Sequence, residues 1–267
     1  MTVQLSTPLA NLIADGRNVR AAVGNFVRNI YSGTIPTGAD SAINGTLLAQ
    51  LTESSGTATY EVLPVWKVTI GGTVGGNVTI NMGGAPMHAT VTSVTDTGTT
   101  AGLVAAAING TLIKNFGGFT ASAVSSVVYI TGPVGSGANL NALVCTSTVT
   151  SNITATVASS GLPDGNNGTT LGVAAANCCD YDQRAVAGVL TSSQTWSCTS
   201  AAASGTATWY RDVYSASDTG GVSTSYLRKQ GTITSIGGGG DFELASTTIT
   251  ATTPVTATGA TFTVPAN

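Results

Sequence analysis

Charge is the property that this 267-residue chain has least of. Nine Lys and Arg, twelve Asp and Glu and one His leave only 8% of its residues charged, whereas soluble domains average about 25%. Disordered chains combine low hydrophobicity with high net charge, but this chain has a net charge of −3 and 42% hydrophobic residues. The composition therefore predicts a folded protein.

Two further absences exclude nucleic-acid and membrane partners. Nine basic residues at a pI near 4.9 cannot supply the dense positive patch with which proteins neutralise phosphates. No run of about 18 apolar residues occurs, so the sequence predicts no membrane span. The segment Met1 to Leu12 lacks a basic region followed by an apolar one, and we therefore expect no signal peptide and assembly in the host cytoplasm.

Catalytic and metal-binding residues are also scarce. His88 is the only histidine, so any Ser-His-Asp or Cys-His arrangement must include it. Its position after a Gly-Gly-Ala-Pro turn is typical of a surface or edge-strand histidine. Asp180 with Asp182, and the turn Asp164 to Gly168, lack the spacing of a calcium loop. We therefore predict no catalytic residue, no metal and no cofactor, and we expect that the chain is not an enzyme.

The four cysteines have no C-x-x-C spacing, which argues against zinc. Cys178 and Cys179 are adjacent and cannot easily bridge one another, because successive side chains of a strand point in opposite directions. Either could form a disulfide with Cys198 or Cys145 after release to an oxidising exterior. The alternative is four reduced thiols that pack as small hydrophobic side chains.

Hydroxyl groups and glycine take the place of charge. Threonine (45), serine (25) and glycine (34) fill 104 positions, mostly in short β-prone runs separated by turn formers. Examples are Val65 to Ile70, Val78 to Met82, Ser125 to Ile130 and Gly205 to Tyr214. We predict a mainly β fold with a few helices, an α+β protein.

Two segments have helical spacing of their apolar residues. From Leu9 to Ile30 these residues recur every three or four positions, which predicts one long helix, with Ser6 or Thr7 as N-cap and Pro8 in the first turn. A short helix is predicted over Thr99 to Ile113, with Thr99 or Thr100 as its N-cap.

Two segments near the ends of the chain form recognisable patterns. One is TPLANLIADGRNVRAAVGNFVRNIYSGTIPTGADSAINGTLLAQL (Thr7 to Leu51). The other is SGTATWYRDVYSASD (Ser204 to Asp218), which continues to TPVTATGATFTVPAN (Thr253 to Asn267). The two segments resemble the two halves of a family of small tailed-bacteriophage head proteins. In that family a short connection joins the two halves, whereas about 140 residues separate them here.

A further pattern lies between the two halves. It covers Trp66 to Gly110, where Asp96-Thr97-Gly98 is followed by an AAAIN helix, and Gly118 to Cys145. This pattern resembles a β-rich module found in phage virion and tail proteins. These resemblances imply a discontinuous, β-sandwich-like anchor domain with an N-terminal helix (1–52 and 196–267). They also imply an inserted small α+β module (62–160) and a connecting segment (161–195).

The resemblances imply a structural component of a tailed-phage virion. We expect a capsid decoration or cement protein that binds the major capsid protein and its own copies as a homo-oligomer. Large aromatic side chains commonly anchor interfaces, and Trp66, Trp209, Tyr210 and Tyr214 are the candidates here, although core packing would also explain them. A tail, baseplate or fibre protein with an adhesive module is the alternative, and a secreted β-rich hydrolase or adhesin is a third.

Overall fold

The computed structural model describes residues 3–14, 19–110, 118–182 and 185–263. The protein is mainly β, with 38% strand and 14% helix, which confirms the predicted fold class. The chain forms two compact units, Met1–Glu61 together with Ala175–Asn267 (unit 1) and Val62–Ala174 (unit 2). The segment 161–195, predicted as a connection, is divided between the two units.

Unit 1 begins with short elements. They are β1 (Gln4–Leu5), α1 (Thr7–Ala14), α2 (Val19–Val23), β2 (Val27–Tyr31) and β3 (Leu47–Glu53). The predicted start of the first helix is confirmed, because the Ser6 hydroxyl accepts a hydrogen bond from the amide of Leu9 at 3.4 Å. The prediction of one helix continuing to Ile30 is wrong, since its last residues form β2.

Both the local backbone and the tertiary contacts explain why that helix ends. Asn25 has a φ of 56°, in the left-handed region that interrupts a right-handed helix. At Gly24 a Cβ would lie 2.2 Å from Oδ1 of Asp180 and 3.0 Å from the carbonyl oxygen of Arg20, so a larger residue would displace the Asp180 side chain. After Phe26, the five residues Val27–Tyr31 form a strand between two others, and all five are buried.

Unit 2 contains two four-stranded sheets, one α-helix and two short 3-10 helices (Gly137–Leu140 and Ser159–Gly161) in its described residues. Its elements are β4 (Val65–Gly72), β5 (Asn77–Met82), β6 (Ala85–Pro86), β7 (Val91–Thr92), α3 (Thr97–Gly110), β8 (Thr120–Val124), β9 (Val127–Thr131), β10 (Cys145–Val149) and β11 (Ile153–Val157). One sheet has the order β11-β4-β9-β8, and in the other β5 pairs with β10, β6 and β7.

The predicted helix of unit 2 is present as α3, although residues 111–113 of the prediction lie outside the described residues. Its N-cap is not Thr99 or Thr100 but Asp96. The Asp96 carboxylate accepts hydrogen bonds from the amide and the hydroxyl of Thr99, both at 2.8 Å. A carboxylate that accepts a hydrogen bond from the backbone amide three residues further along the chain is a common N-cap. The hydrogen bond from the Thr99 amide lowers the pKa of Asp96.

The rest of unit 1 consists of strands. They are β12 (Val189–Thr191), β13 (Thr195–Cys198), β14 (Gly205–Thr206), β15 (Trp209–Val213), β16 (Arg228–Ser235), β17 (Phe242–Leu244), β18 (Thr248–Ile249), β19 (Val255–Thr258) and β20 (Thr261–Thr263). An eight-stranded sheet has the order β1-β16-β15-β2-β3-β13-β19, with β17 parallel to β16. Strands β2 and β15 therefore lie in the middle of this sheet, next to β16.

Each unit has its own hydrophobic core. Phe26, Trp196 and Tyr210 belong to the core of unit 1, whereas Trp66, Ile80 and Val104 belong to that of unit 2. Large aromatic side chains bury much apolar area, and both cores include at least one tryptophan.

Candidate functional site

The four cysteines are free thiols in the structure. Cys145 lies in the core of unit 2, and Cys178, Cys179 and Cys198 lie in unit 1, where Cys198 is only half-buried. Burial raises the pKa of Cys145 to about 12 and that of Cys178 to about 11, and it also raises the pKa of Cys179. Because the thiolate is the reactive form, these three side chains are poor nucleophiles.

The aromatic residues predicted for an interface lie mostly in the interior. Trp66, Trp209 and Tyr210 are 0–1% exposed, and Tyr214 is half-buried with its hydroxyl donating to the Val23 carbonyl at 3.2 Å. The Trp209 ring stacks on Tyr31 with 4.3 Å between centroids. The three fully buried side chains offer no surface to a partner, so their packing role explains their presence.

His88 is buried rather than at the surface. It is 2% exposed, its Nε2 accepts a hydrogen bond from the amide of Ile80 at 3.0 Å, and its Nδ1 lies 2.6 Å from the carbonyl oxygen of Ala89. Nε2 must carry a lone pair in this arrangement, so the proton is on Nδ1. Burial lowers the pKa of His88, which keeps the ring neutral and structural.

The aspartates considered as cation ligands are engaged in local hydrogen bonds. Asp180 accepts from the amide of Tyr181 at 2.7 Å, and Asp182 from the amide of Ser193 at 2.6 Å. Asp164 accepts from the amide of Asn166 at 2.9 Å, which lowers the pKa of Asp164 to about 2. Among the described residues no three His, Cys, Asp or Glu side chains converge as metal ligands.

A row of buried charges crosses the sheet of unit 1. Arg28 on β2, Asp212 on β15 and Lys229 on β16 occupy directly opposite positions, and their side chains are 0–1% exposed. Arg28 donates from Nε and Nη2 to the two oxygens of Asp212 at 2.7 and 2.8 Å. Nζ of Lys229 lies 2.9 Å from Oδ2 of the same carboxylate. We call these three residues the charged row.

Aromatic rings enclose the charged row. The hydroxyl of Tyr181 accepts from Nζ of Lys229 at 2.9 Å and from Nη2 of Arg28 at 3.1 Å. The guanidinium carbon of Arg28 lies 3.9 Å from the ring centroid of Tyr210 and 4.3 Å from that of Phe242. Nη1 of Arg28 has no hydrogen-bond partner among the described residues, and the ring faces supply its electrostatic contact.

The two cations and one carboxylate leave this interior with a net charge of +1. Burial opposes the charge of Arg28, yet the charge and hydrogen bond of Asp212, together with the nearby Tyr181 and Tyr210, raise the pKa of Arg28 well above its ordinary value. Burial also raises the pKa of the Tyr210 hydroxyl. Arg28 therefore remains protonated. The charged row is tolerated in the interior only because its members are mutually paired and hydrogen-bonded.

A second polar row occupies the other face of the same strands. Gln50 donates to Asn29 at 3.0 Å, Arg211 donates from Nε to Gln230 at 3.0 Å, and Gln230 donates to Gln4. Strands buried on both faces normally carry apolar residues on both. Here paired polar side chains replace those apolar residues on either face.

This second face holds the loop 36–41 against the sheet. Gln230 donates to the carbonyl of Pro36 at 2.9 Å, and Arg211 to that of Ser41 at 2.8 Å. Arg228 donates to the carbonyl of Ala39 at 3.3 Å and pairs with Asp218. Burial, followed by the nearby charge of Arg228, lowers the pKa of Arg211 to about 10.

Sequence reasoning missed both rows, although a signal was present. Arg211-Asp212 interrupts the aromatic strand segment WYRDV, and Arg228-Lys229 begins a second β-prone run. Opposite charges within two β-forming runs indicate cross-strand ion pairs. The helical spacing places the third member, Arg28, in a helix, so the sequence alone does not assemble the row.

Unit 2 presents a strand surface with few charges, which we call the outer face. The buried or partly buried residues of β4, β8, β9 and β11 alternate with side chains on the opposite side of the sheet. Tyr129 lies at its centre, paired directly with Ser122 on one side and Lys67 on the other. The remaining members are Val65, Thr69, Thr120, Val124, Val127, Thr131, Thr154 and Thr156.

Comparisons with known proteins add no functional assignment. No protein-family model matches this chain, and neither does any curated protein. Within the described residues, no helix has the length and apolarity needed to cross a bilayer.

Proposed function

We propose that this chain is a structural component of a tailed-phage virion, a capsid decoration protein that cements the head by binding the major capsid protein and its own copies. The chain resembles phage head and virion proteins at both ends and in the insertion. The observation that carries the proposal is the outer face, where six Thr and Ser hydroxyls and three valines surround Tyr129, and Lys67 adds one charge.

Such a face is suited to permanent contact with other protein surfaces. Hydroxyl groups cost far less to desolvate than ions do, and Val124 on this face is 62% exposed. Four of the nine basic residues, Arg28, Arg211, Arg228 and Lys229, are buried, so the surface is poorer in charge than the composition suggests. Standard interfaces of about 1,600 Å² repeated over a lattice would hold such a protein in place.

In this proposal the two units have different tasks. Unit 1 anchors the chain on the capsid, because its extensively paired interior makes it a rigid support. The outer face of unit 2 contacts a neighbouring copy or capsomer. Bridging of neighbours, rather than any chemical step, then stabilises the shell.

Imaging and add-back experiments test this function. Particles that contain the chain should show its density at symmetric positions on the head, and particles that lack it should release their genome at a lower temperature. Adding the purified protein should restore the stability. Density confined to the tail, or unchanged heat and osmotic stability without the protein, would refute the cement function.

A matched pair of variants tests the outer face. Val124→Asp places a charge on that face, and we expect it to remove the heat protection while binding to the head persists through unit 1. Leu103→Asp adds the same charge to α3, where Leu103 is 42% exposed, and should leave the protection intact. Equal protection by both variants would show that the outer face makes no stabilising contact.

The alternative function, an adhesive tail or fibre protein, is favoured by one observation. Tyr129 lies between Ser122 and Lys67 on an open sheet, and an aromatic ring beside hydroxyl donors is an arrangement able to contact a sugar. Under this alternative, Tyr129→Ala would weaken attachment of particles to cells and leave head stability unchanged.

A further inference from the structure

We propose that Lys229 and Asp212 condense to an intramolecular isopeptide bond that covalently joins β16 to β15. The two residues are directly opposite in the antiparallel pair, and Nζ lies 2.9 Å from Oδ2 with both side chains 0% exposed. Groups that are held in contact by a folded interior react with a large effective concentration. The inference does not depend on the virion function.

The surroundings of the pair favour loss of its charges. Nζ of Lys229 lies 4.7 Å from the ring centroid of Phe26, 4.5 Å from that of Tyr181 and 4.7 Å from that of Phe262. The ring faces attract the ammonium, yet each ion that is taken out of water keeps a large desolvation penalty. Condensation replaces an ammonium and a carboxylate by one neutral amide, and the buried site keeps water away from the product.

The neighbouring groups provide a path for each proton. The Lys229 ammonium transfers one proton to Oδ2 through the existing contact, which produces a neutral amine and a carboxylic acid. The amine nitrogen then attacks Cγ, and Oδ1 takes the negative charge of the tetrahedral intermediate. A second proton moves from nitrogen to the Oδ2 hydroxyl across the same contact, and this hydroxyl leaves as water. The carbonyl at Oδ1 re-forms, and the third proton stays on the amide nitrogen.

Arg28 stabilises the intermediate and remains satisfied in the product. Its Nε donates to Oδ1 at 2.7 Å, so it faces the oxygen that becomes the oxyanion, as donors in acyl transfer do. After water leaves, Nε donates to the amide carbonyl and Nη2 retains the Tyr181 hydroxyl at 3.1 Å. The net charge of the site is +1 before the reaction and +1 after it.

Mass spectrometry of the denatured full-length protein tests the bond. After incubation of the folded protein for one week at 37 °C, the intact mass should be lower than the sequence mass by one water. Proteolysis should then yield a branched peptide that joins the segments around Asp212 and Lys229. An unmodified mass, or loss of water without the branched peptide, would overturn the proposal.

Two variants separate the isopeptide from other losses of water. Lys229→Arg keeps the positive charge but lacks the amine, and it should show the full sequence mass. A loss of water that persists in this variant would indicate a succinimide at Asp212 instead and overturn the proposal. Tyr181→Phe removes the hydroxyl that holds Nζ of Lys229 and should reduce the rate of bond formation several-fold, and an unchanged rate would contradict this positioning of the amine.

Discussion

At the scale of single residues, His88 connects the stability of unit 2 to pH. The folded ring must be neutral at Nε2 to accept the Ile80 amide, and burial lowers its pKa. An unfolded histidine has a pKa of about 6.5. Stability from this residue is therefore complete above about pH 6.5 and is lost as the pH falls from there toward the lower pKa of the folded state.

We expect the free energy of unfolding of unit 2 to fall by up to about 1.4 kcal/mol per pH unit between those two pKa values. Urea unfolding at pH 7.5 and at pH 5.5 measures the difference. The single histidine also gives an unambiguous NMR titration, which should have a midpoint below 6.5. In His88→Gln the amide oxygen can still accept from Ile80, and this pH dependence should vanish; its persistence would assign it to other groups.

The charged row provides a second residue-scale prediction. Asp212→Ala leaves the cations of Arg28 and Lys229 buried without their carboxylate, and breaking a buried pair in this way costs about 3–5 kcal/mol. Chemical denaturation of the variant should show this loss in unit 1.

An exposed ion pair of the same unit is the matched control. Arg20 lies 3.8 Å from Asp180, and its side chain is 45% exposed. Arg20→Ala should therefore change the free energy of unfolding by about 0–1 kcal/mol. If both variants lost the same small amount, the pairing of the charged row would contribute little to stability.

At the scale of elements, the N-terminal segment shows how similar patterns lead to different structures. Val27 and Ile30 continue the helical spacing of Leu9 and Val23, yet they belong to β2. β-branched residues suit either interpretation in a short apolar run, and hydrogen bonds from β3 and β15 decide between them. The intrinsic preference of a segment for helix or strand decides little when the segments on both sides of it in the sheet are strands.

Two glycines of unit 2 should respond oppositely to the same substitution. Gly102 lies on the exposed side of α3, with nothing within 4 Å of an added Cβ, so Gly102→Ala should stabilise the unit by about 0.5–1 kcal/mol. At Gly76 the added Cβ would lie 2.0 Å from the carbonyl oxygen of Thr150. Gly76→Ala should therefore destabilise it by about 1–3 kcal/mol.

Thermal unfolding of both variants beside the parent protein measures these shifts. A lower transition temperature for Gly102→Ala would contradict the exposed helical position. An unchanged transition temperature for Gly76→Ala would mean that the backbone before β5 can shift without a loss of stability.

At the scale of the whole molecule, the two separate cores predict separable unfolding. Trp66 belongs to unit 2, and Trp196 and Trp209 to unit 1. In a Trp66→Phe background, tryptophan fluorescence therefore follows unit 1 alone. Ile80→Ala truncates the unit 2 core at a cost of about 2–5 kcal/mol, and the fluorescence transition should stay where it is.

Far-ultraviolet circular dichroism of the same sample should show an earlier transition for unit 2. The corresponding truncation in unit 1, Ile30→Ala, should shift the fluorescence transition to lower denaturant. If Ile80→Ala moved both transitions equally, the two cores would unfold as one cooperative unit.

The sequence by itself determined the properties that depend on composition and on near neighbours. The scarcity of charge, the β-rich runs and the Ala-rich helix α3 are local patterns, and they predicted the mainly β fold and the position of that helix. The start of α1 was also predictable, because its N-cap lies three residues from the amide that it satisfies.

Only the tertiary structure decided which distant residues meet. Arg28 and Asp212 are 184 positions apart, and nothing in the sequence around either residue identifies the other as its partner. The burial of His88, the engagement of the aspartates and the interior positions of Trp66 and Tyr210 likewise depend on strands brought together across the chain. Strand pairing is non-local, so its register and the chemistry of the charged row follow from the folded sheet and not from any local pattern.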